Sequence, residues 1–544
     1  MHSPLPSAPA REICSAALPK SDHARWAVLA ALIPFALLAW RFDFLCDDAY
    51  ISFRYSRNLA LGEGLRFNLH ADPPVEGYSN FLWVVYLALF ERVGWDVTLW
   101  SRISSAACGA LLTAWLARSA TRHFELDGIR AAACGLFVGT LPPIALWATG
   151  GLATMPMALA TFGFWERLMG DRNRPRGWQA GLFALAAGLV RADGAVWVML
   201  VASGAALVWL TGARGSERER DRRRALRRAL VGALTLCALG VALHVTWRIA
   251  TYGDYLPNTA RLKAGFSPDR LLRGLDYVAA FLLTIPSLAI AAVAGLLPRA
   301  RGASSVWLPA LVVLSGTLAY AVWVGGDFMP MGRFLFPAVP FVALLFAGAL
   351  RACGARAAAG LTALCVTLSL LAAADLGPLP ASLRARFHFR ADREVWESEV
   401  EMWRGMKQRA EQWALQGRAL AHCTDEGESM IFGALGALGY YSGLEAYDTY
   451  GLVTPAVVER GVSIPNSSPG HDMRVGPSFF FARHPTYLGS VLTRVSAPLD
   501  EGLAERWHEH PWSEMVTLEH HPLPVEEGFP AGVELRLLRM HRWE

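Results

Sequence analysis

Charged residues are scarce in this sequence. Only 18% of its 544 residues are Asp, Glu, Lys or Arg, against about 25% in an ordinary soluble domain. The deficit extends over most of residues 1–375, and 53% of the whole chain is hydrophobic. A soluble protein with one membrane anchor would not show a deficit of charge over so long a stretch. We therefore predict a polytopic α-helical membrane protein.

Metal-binding and disulfide motifs are also missing. The chain has 8 cysteines but neither a CxxC motif nor a His/Cys cluster, which argues against a structural zinc site. Most cysteines lie in or beside apolar runs, and nothing in the sequence supports a disulfide between Cys46 and Cys423. The net charge of +5 lies in short clusters such as residues 214–228. That cluster separates two apolar runs, where the positive-inside bias explains it without a nucleic-acid partner.

Apolar runs long enough to cross a bilayer predict about eleven transmembrane helices. They occur near residues 26–42, 101–117, 131–148, 153–169, 178–190, 194–211, 229–250, 276–297, 304–324, 334–351 and 357–375. The apolar segment 81–90 is too short to span. If it lies flat on the outer surface, every basic cluster falls on the inner side, as the positive-inside rule expects.

This topology predicts three parts of the chain. Residues 1–25 form a cytoplasmic tail, and residues 26–375 form a transmembrane domain whose first outer loop is 43–100. Residues 376–544 are rich in His, Glu, Trp and Pro and contain no run of spanning length. A helix around 392–416 followed by short alternating segments predicts a periplasmic α/β domain there.

The strongest candidate for chemistry is the adjacent pair Asp47 and Asp48, directly after the first helix. Two neighbouring carboxylates at a membrane surface are costly unless they are solvated, paired or bound to metal. The alternative is that they cap a helix over residues 49–61, for which one Asp would suffice.

Two further sets of polar residues lie in the predicted outer loops. Glu76, Tyr78 and Asn80 could hydrogen-bond a sugar, or they could belong to a Pro/Gly turn beside an interfacial aromatic belt. Arg191, Lys263 and Arg333 are cations on the side where the positive-inside rule expects few. Such cations could bind phosphate oxygens. Alternatively, they anchor lipid head groups or form ion pairs, for example Arg191 with Asp193 or Arg333 with Asp327.

The order of these motifs resembles a known family. The segment 47–60 (DDAYISFRYSRNLA), with 75–83 (VEGYSNFLW), resembles the terminal β-(1→2)-arabinofuranosyltransferases of mycobacterial cell-wall assembly, which are C-type (GT-C) membrane glycosyltransferases. The resemblance continues through the segments around Arg191 and Asp193, Asn258 and Lys263, and Asp327 and Arg333. Weaker matches follow in the tail, at 439–442, 448–452 and 470–471.

The resemblance implies that residues 26–375 are a GT-C-like catalytic domain in a bacterial inner (plasma) membrane. It implies a polyprenyl-phosphate-dependent glycosyltransferase, pentosyltransferase-like, with Asp47 and Asp48 as catalytic carboxylates. It also implies a divalent cation, Mg or Mn, which Asp48 could bind. The substrate-binding residues that follow from the residues and the resemblance together are Arg54, Glu76, Tyr78, Asn80, Arg191, Asp193, Asn258, Lys263, Asp327, Arg333 and His471. The chain departs from the family at Ala153, where relatives carry Glu, and at Ala192, where they carry Pro.

Besides a degenerate, non-catalytic polysaccharide receptor with the tail as its binding module, three functions remain open on the sequence. The first is transfer of a sugar, arabinofuranose by resemblance, from a polyprenyl-phosphate donor to a polysaccharide of the cell envelope. The second keeps the chemistry but uses a pilin or another secreted glycoprotein as acceptor. The third is transport of a lipid-linked sugar, against which stands the lack of two related halves with broken helices.

Overall fold

The computed structural model describes residues 20–169, 175–212, 215–262, 267–300, 304–377, 397–463, 471–495 and 514–543. Helices account for nearly all regular structure up to residue 377. In chain order they are α1 (Lys20–Arg41), α2 (Asp47–Leu61), α3 (Phe81–Arg92), α4 (Val97–Phe124), α5 (Gly128–Gly139), α6 (Pro142–Thr149), α7 (Thr154–Met169), α8 (Gly177–Val190), α9 (Gly194–Thr211), α10 (Glu217–Tyr252), α11 (Asn258–Leu262), α12 (Pro268–Thr284), α13 (Pro286–Leu296), α14 (Ser304–Trp323), α15 (Val339–Ala352) and α16 (Ala355–Ala373).

Helix lengths and bends determine how many membrane crossings the described residues allow. Five helices are long and apolar enough to span, and two bent pairs raise that number to seven. The pairs are α5 with α6, bent by 50°, and α12 with α13, bent by 89°. In both pairs the second helix begins with a proline, which cannot continue the preceding ladder of hydrogen bonds.

The protein is a polytopic helical membrane protein, as predicted. Each of the eleven predicted runs overlaps a helix or a bent pair. The number of crossings stays a prediction, because several of these helices are short or bent. The segment 81–90, expected to be a flat surface segment, forms helix α3, which packs against α2.

The tail contains a five-stranded mixed sheet, ordered β2-β1-β5-β7-β6. Its strands are β1 (Ser429–Phe432), β2 (Glu445–Asp448), β5 (Tyr487–Arg494), β6 (Val516–Pro522) and β7 (Val533–Met540); the short strands β3 (Val462–Ser463) and β4 (Met473–Arg474) pair separately. Strand β1 is parallel to β2 and β5, while β7 is antiparallel to β5 and β6. The described part of the tail therefore has the α/β character that the sequence predicted.

The long helix of the tail, α17 (Glu399–Cys423), extends further than predicted. Ser398 and Glu401 form a capping box that fixes its start. Buried residues at helical spacing, such as Met406, Ala410 and Ala414, continue past residue 416. Packing against the sheet thus keeps the chain helical where a short alternating segment was expected.

The tail and the helical domain share one hydrophobic core. Val400, Trp403 and Met406 of α17 belong to the same buried cluster as residues of the membrane helices. The indole of Trp403 meets the ring of Phe42 edge-on, with ring centroids 5.2 Å apart. The tail therefore lies directly against the segment that leads from α1 to Asp47 and Asp48.

Candidate functional site

The two candidate carboxylates lie in the first turn of α2, which begins at Asp47. The alternative that they cap a helix starting at Ala49 is wrong. Cys46 occupies the N-cap position, and no side-chain cap bond forms there. Carboxylates in a first turn still interact favourably with the helix dipole.

Asp47 joins the helical domain to the tail. Its Oδ1 accepts a hydrogen bond of 2.8 Å from the backbone N–H of Ala437, at the start of helix α18 (Ala437–Ser442). A Cβ at Gly436 would lie 2.3 Å from the Asp47 carboxylate, so only glycine permits this approach. Burial raises the pKa of Asp47 to about 7, although N–H donors from residues 436 and 437 oppose the shift.

Asp48 has a different environment from its neighbour. Within the part of the chain that the structure describes, its carboxylate forms no hydrogen bond or ion pair. Like Asp47, it is partly buried. It lies close enough to Arg333 for its charge to raise the pKa of that guanidinium. Asp48 is therefore a carboxylate available to a ligand, next to a cation.

Arg191 and Asp193 form a two-bond ion pair between α8 and α9. The Arg191 Nε donates to Asp193 Oδ1 at 2.8 Å, and Nη2 donates to Oδ2 at 2.7 Å. The hydroxyl of Tyr320 also donates to Asp193, at 3.1 Å. Burial lowers the pKa of Arg191, but the Asp193 carboxylate outweighs burial and the pKa lies above its ordinary value.

Arg333 and Asp327 form a second pair with the same geometry. The Arg333 Nε donates to Asp327 Oδ2 at 2.7 Å and Nη2 donates to Oδ1 at 3.1 Å. Burial lowers the pKa of Arg333, and Asp327 reverses this, so the pKa is raised. The ion pairing that the sequence offered as an alternative is therefore present at both arginines.

The pairing leaves one edge of each guanidinium unused. Neither the Nη1 of Arg191 nor that of Arg333 donates a hydrogen bond to a described residue, since only Nε and Nη2 are engaged. The two arginines share the ring of Phe334, whose centroid lies 5.7 Å from the Arg191 Cζ and 5.3 Å from the Arg333 Cζ. Arg333 lies near Asp48, and Arg191 adjoins Arg333 through the shared Phe334 ring. The unused guanidinium edges suit the oxygens of a phosphate.

Glu76 is engaged inside the protein. Arg248 donates to it from Nε at 2.6 Å and from Nη2 at 3.1 Å. The two residues are only 3% and 8% exposed. Burial raises the pKa of Glu76, while the Arg248 guanidinium opposes the shift. The predicted role of Glu76 as a sugar ligand is untested, and the structure gives its carboxylate a structural partner.

Four other predicted ligands also have internal partners. Tyr78 bonds the hydroxyl of Tyr252 at 3.2 Å, and Asn80 donates to Ser52 at 2.9 Å. Arg54 and Asn258 donate to backbone carbonyls, and both reach the tail. These bonds run from Arg54 to Phe67 (2.9 Å), Gly439 (2.6 Å) and Leu444 (2.8 Å), and from Asn258 to Gly451 (2.6 Å) and Leu452 (2.9 Å). The segments that resemble the arabinofuranosyltransferases thus include many of the contacts between the helical domain and the tail.

The remaining predicted residues are His471 and Lys263. His471 lies between the rings of Phe328 and Tyr450, with centroid distances of 5.3 and 5.0 Å. It therefore adjoins the loop that carries Asp327 and Arg333. Lys263 lies outside the described residues.

Sequence reasoning missed Arg248, Tyr320 and Glu399 of the tail helix, whose Oε2 accepts a hydrogen bond from the backbone N–H of Met331. Arg248 interrupts the apolar run 229–250, and a charge inside such a run is a signal of a buried partner. Tyr320 had no such signal, because a tyrosine near a helix end also fits an aromatic belt. Glu399 lies in a charged segment, where one carboxylate cannot be distinguished from another.

The residues that the structure describes do not form a built metal site. Within the described ranges no group of three or more His, Cys, Asp or Glu side chains could hold an ion. The Asp193 and Asp327 carboxylates each accept two bonds from an arginine. The divalent cation stays a prediction.

Comparison with known proteins shows the fold. A family model described as a domain of unknown function (DUF8728) matches residues 401–526. No curated protein matches the sequence. ArnT from Cupriavidus metallidurans bound to undecaprenyl phosphate is 16% identical, with a TM-score of 0.55, over 96% of this chain and 99% of that chain. The apo structure of the same protein gives 17% identity and a TM-score of 0.52, over 95% and 98%.

The mycobacterial arabinofuranosyltransferase AftD matches with 16% identity and a TM-score of 0.49, over 95% of this chain and 40% of that chain. At that score the likeness carries no argument about activity. The chain has the fold of the GT-C membrane glycosyltransferases.

Proposed function

We propose that this protein is a glycosyltransferase that takes a sugar from a polyprenyl-phosphate donor and adds it to a cell-envelope glycan. The transfer takes place at the outer face of the bacterial inner membrane, with the tail in the periplasm. Arabinofuranose is the sugar that the motifs of the first outer loop favour. Undecaprenyl phosphate bound to ArnT supports the lipid-phosphate part of this proposal.

One observation carries the proposal. Among the described residues, the carboxylate of Asp48 has no hydrogen-bond or ion-pair partner, and it lies near Arg333. Arg191 shares the Phe334 ring with Arg333, and the Nη1 of each arginine makes no hydrogen bond to a described residue. Such an arrangement offers an anion-binding edge and a proton acceptor side by side. Donor phosphate and acceptor hydroxyl need these two groups.

The proposed reaction follows from this geometry. The Nη1 groups of Arg191 and Arg333 bind the donor phosphate and neutralise the charge that grows on it as the bond between the anomeric carbon and the phosphate oxygen breaks. The acceptor hydroxyl oxygen forms the new bond to the anomeric carbon, and Asp48 accepts the hydroxyl proton. The products are the lengthened glycan and the polyprenyl phosphate.

Asp193 and Asp327 orient the two arginines for this role. Each carboxylate fixes a guanidinium through two bonds, so that little side-chain freedom is lost when phosphate binds. Asp47 keeps its place in the proposed centre as the neighbour of Asp48. Its bond to Ala437 indicates that it contributes by holding the tail against the site.

The test is transfer of label by the purified protein from polyprenyl-phosphate pentose or hexose to an envelope glycan. We expect Asp48→Asn to lower turnover about 100-fold or more, the scale of general-base removal. Asp43→Asn is the matched control, because Asp43 lies in the same loop but pairs with Arg102 at 3.1 Å. Wild-type turnover of the Asp48 variant would end the proposed role of Asp48.

The donor site is tested separately by binding of undecaprenyl phosphate. Arg191→Ala and Arg333→Ala should each weaken binding by about 1.5–3 kcal/mol, the range for hydrogen bonds to charged groups. Unchanged affinity in both folded variants would show that the arginines serve structure only. Transfer to a secreted protein instead of a glycan would identify the second acceptor class, and binding without consumption of the donor would favour transport.

A further inference from the structure

Helix α17 of the tail contacts both sides of the proposed site. Glu399, Trp403 and Lys407 follow one another at intervals of four residues, so they lie along one face of the helix. Glu399 is 3% exposed, and its Oε2 accepts a hydrogen bond from the backbone N–H of Met331. Lys407 Nζ donates to the carbonyl of Asp43 at 3.0 Å.

These contacts reach the two segments that supply the proposed chemistry. Met331 lies two residues before Arg333, and Asp43 lies five residues before Asp48. Between them, Trp403 packs on Phe42. The helix is therefore a rigid connection between the carboxylate side and the phosphate side of the site.

The Met331 segment needs such support. Met331 has φ 56° and Gly332 has φ 62°, and a residue with a side chain rarely adopts the left-handed region without external constraint. The bond from Glu399 holds the Met331 N–H in this turn. This backbone turn directs the Arg333 side chain toward Asp327 and the Phe334 ring.

We propose that Glu399 is a positioning residue for the donor phosphate, acting through Met331 on Arg333. This inference rests on the proposed function and gives a role to the first residue of α17, just before residues 401–526, which match a domain of unknown function. It predicts that the phosphate site is completed by the tail and is not a property of the membrane helices alone.

The experiment measures binding of undecaprenyl phosphate to the full-length protein in nanodiscs, with thermal unfolding as the check on folding. Glu399→Ala should weaken binding about tenfold, within the range for coupled residues of one network. Glu399→Gln retains an acceptor oxygen for the Met331 N–H and should restore most of the affinity. Arg404→Ala is the matched control on the same helix, since Arg404 is 53% exposed and only approaches Asp375.

The double variant separates positioning from a direct effect. If Glu399 acts through Arg333, Glu399→Ala should cause no further loss once Arg333→Ala is present. Additive losses, or wild-type affinity of folded Glu399→Ala, would overturn the inference. Wild-type affinity of Arg333→Ala alone would refute the proposed phosphate site itself, so the two failures are distinguishable.

Discussion

The buried pair of Glu76 and Arg248 gives a prediction that distinguishes a structural residue from a sugar ligand. Arg248 donates two hydrogen bonds to the Glu76 carboxylate. Glu76→Gln replaces this carboxylate by a neutral amide and leaves the buried charge of Arg248 without its counter-ion. Removing one member of a buried pair costs about 3–5 kcal/mol. We therefore expect thermal unfolding of this variant, measured in nanodiscs, to shift down by several degrees.

The control for this prediction replaces both members. Glu76→Leu combined with Arg248→Met removes both charges and keeps apolar volume, and such exchanges are often close to neutral. We expect the double variant to recover most of the lost stability. Binding of undecaprenyl phosphate should be the same in all folded variants, because Glu76 is not among the groups around Asp48 and Arg333. A Glu76→Gln protein that unfolds like the wild type but no longer transfers sugar would refute this reasoning.

Three further predictions concern the joint with the tail and the topology. Arg54→Ala removes hydrogen bonds to the backbone carbonyls of Phe67, Gly439 and Leu444, so we expect the tail to become sensitive to protease. The control Arg66→Ala, which removes an exposed hydrogen bond to a carbonyl, should not change digestion. Burial raises the pKa of Asp47 to about 7 from an ordinary 3.8, so between these pH values the folded state holds a proton that the unfolded state has lost. The free energy of unfolding should therefore fall as pH rises through this range. Thermal unfolding measured against pH should show a weaker pH dependence for Asp47→Asn. A cysteine at Arg176 should be protected from an impermeant reagent applied outside, and labelling there would contradict the predicted topology. Arg174, in the same loop, lies outside the described residues.

Hydropathy predicted the helical part of this fold well, because satisfying the backbone in a bilayer leaves few alternatives to helix. It failed where a helix breaks. The 89° bend between α12 and α13 divides one apolar run in two, and length alone cannot show this. Residues 81–90, predicted not to span, form the 12-residue helix α3, which packs on α2 and is not among the helices long enough to cross a membrane.

The tail was predictable in class but not in extent. Its long helix starts at a capping box that the sequence displays, Ser398 and Glu401. Its end at Cys423 depends on burial against the sheet and the membrane helices. Such long-range contacts are absent from any local pattern, and they also decide which surface of the tail meets the site.

The candidate site shows the same limit at the scale of single atoms. Asp47 and Asp48 are chemically identical and adjacent, so no sequence pattern can assign them different roles. Their side chains leave α2 in different directions, since successive residues of a helix are rotated by about 100°. One carboxylate meets the N–H of Ala437 from a segment almost 400 residues away, and the other is left beside Arg333. The division between a structural and a chemically available carboxylate is therefore made by the tail. For the same reason, the tail must be present for the site to be complete.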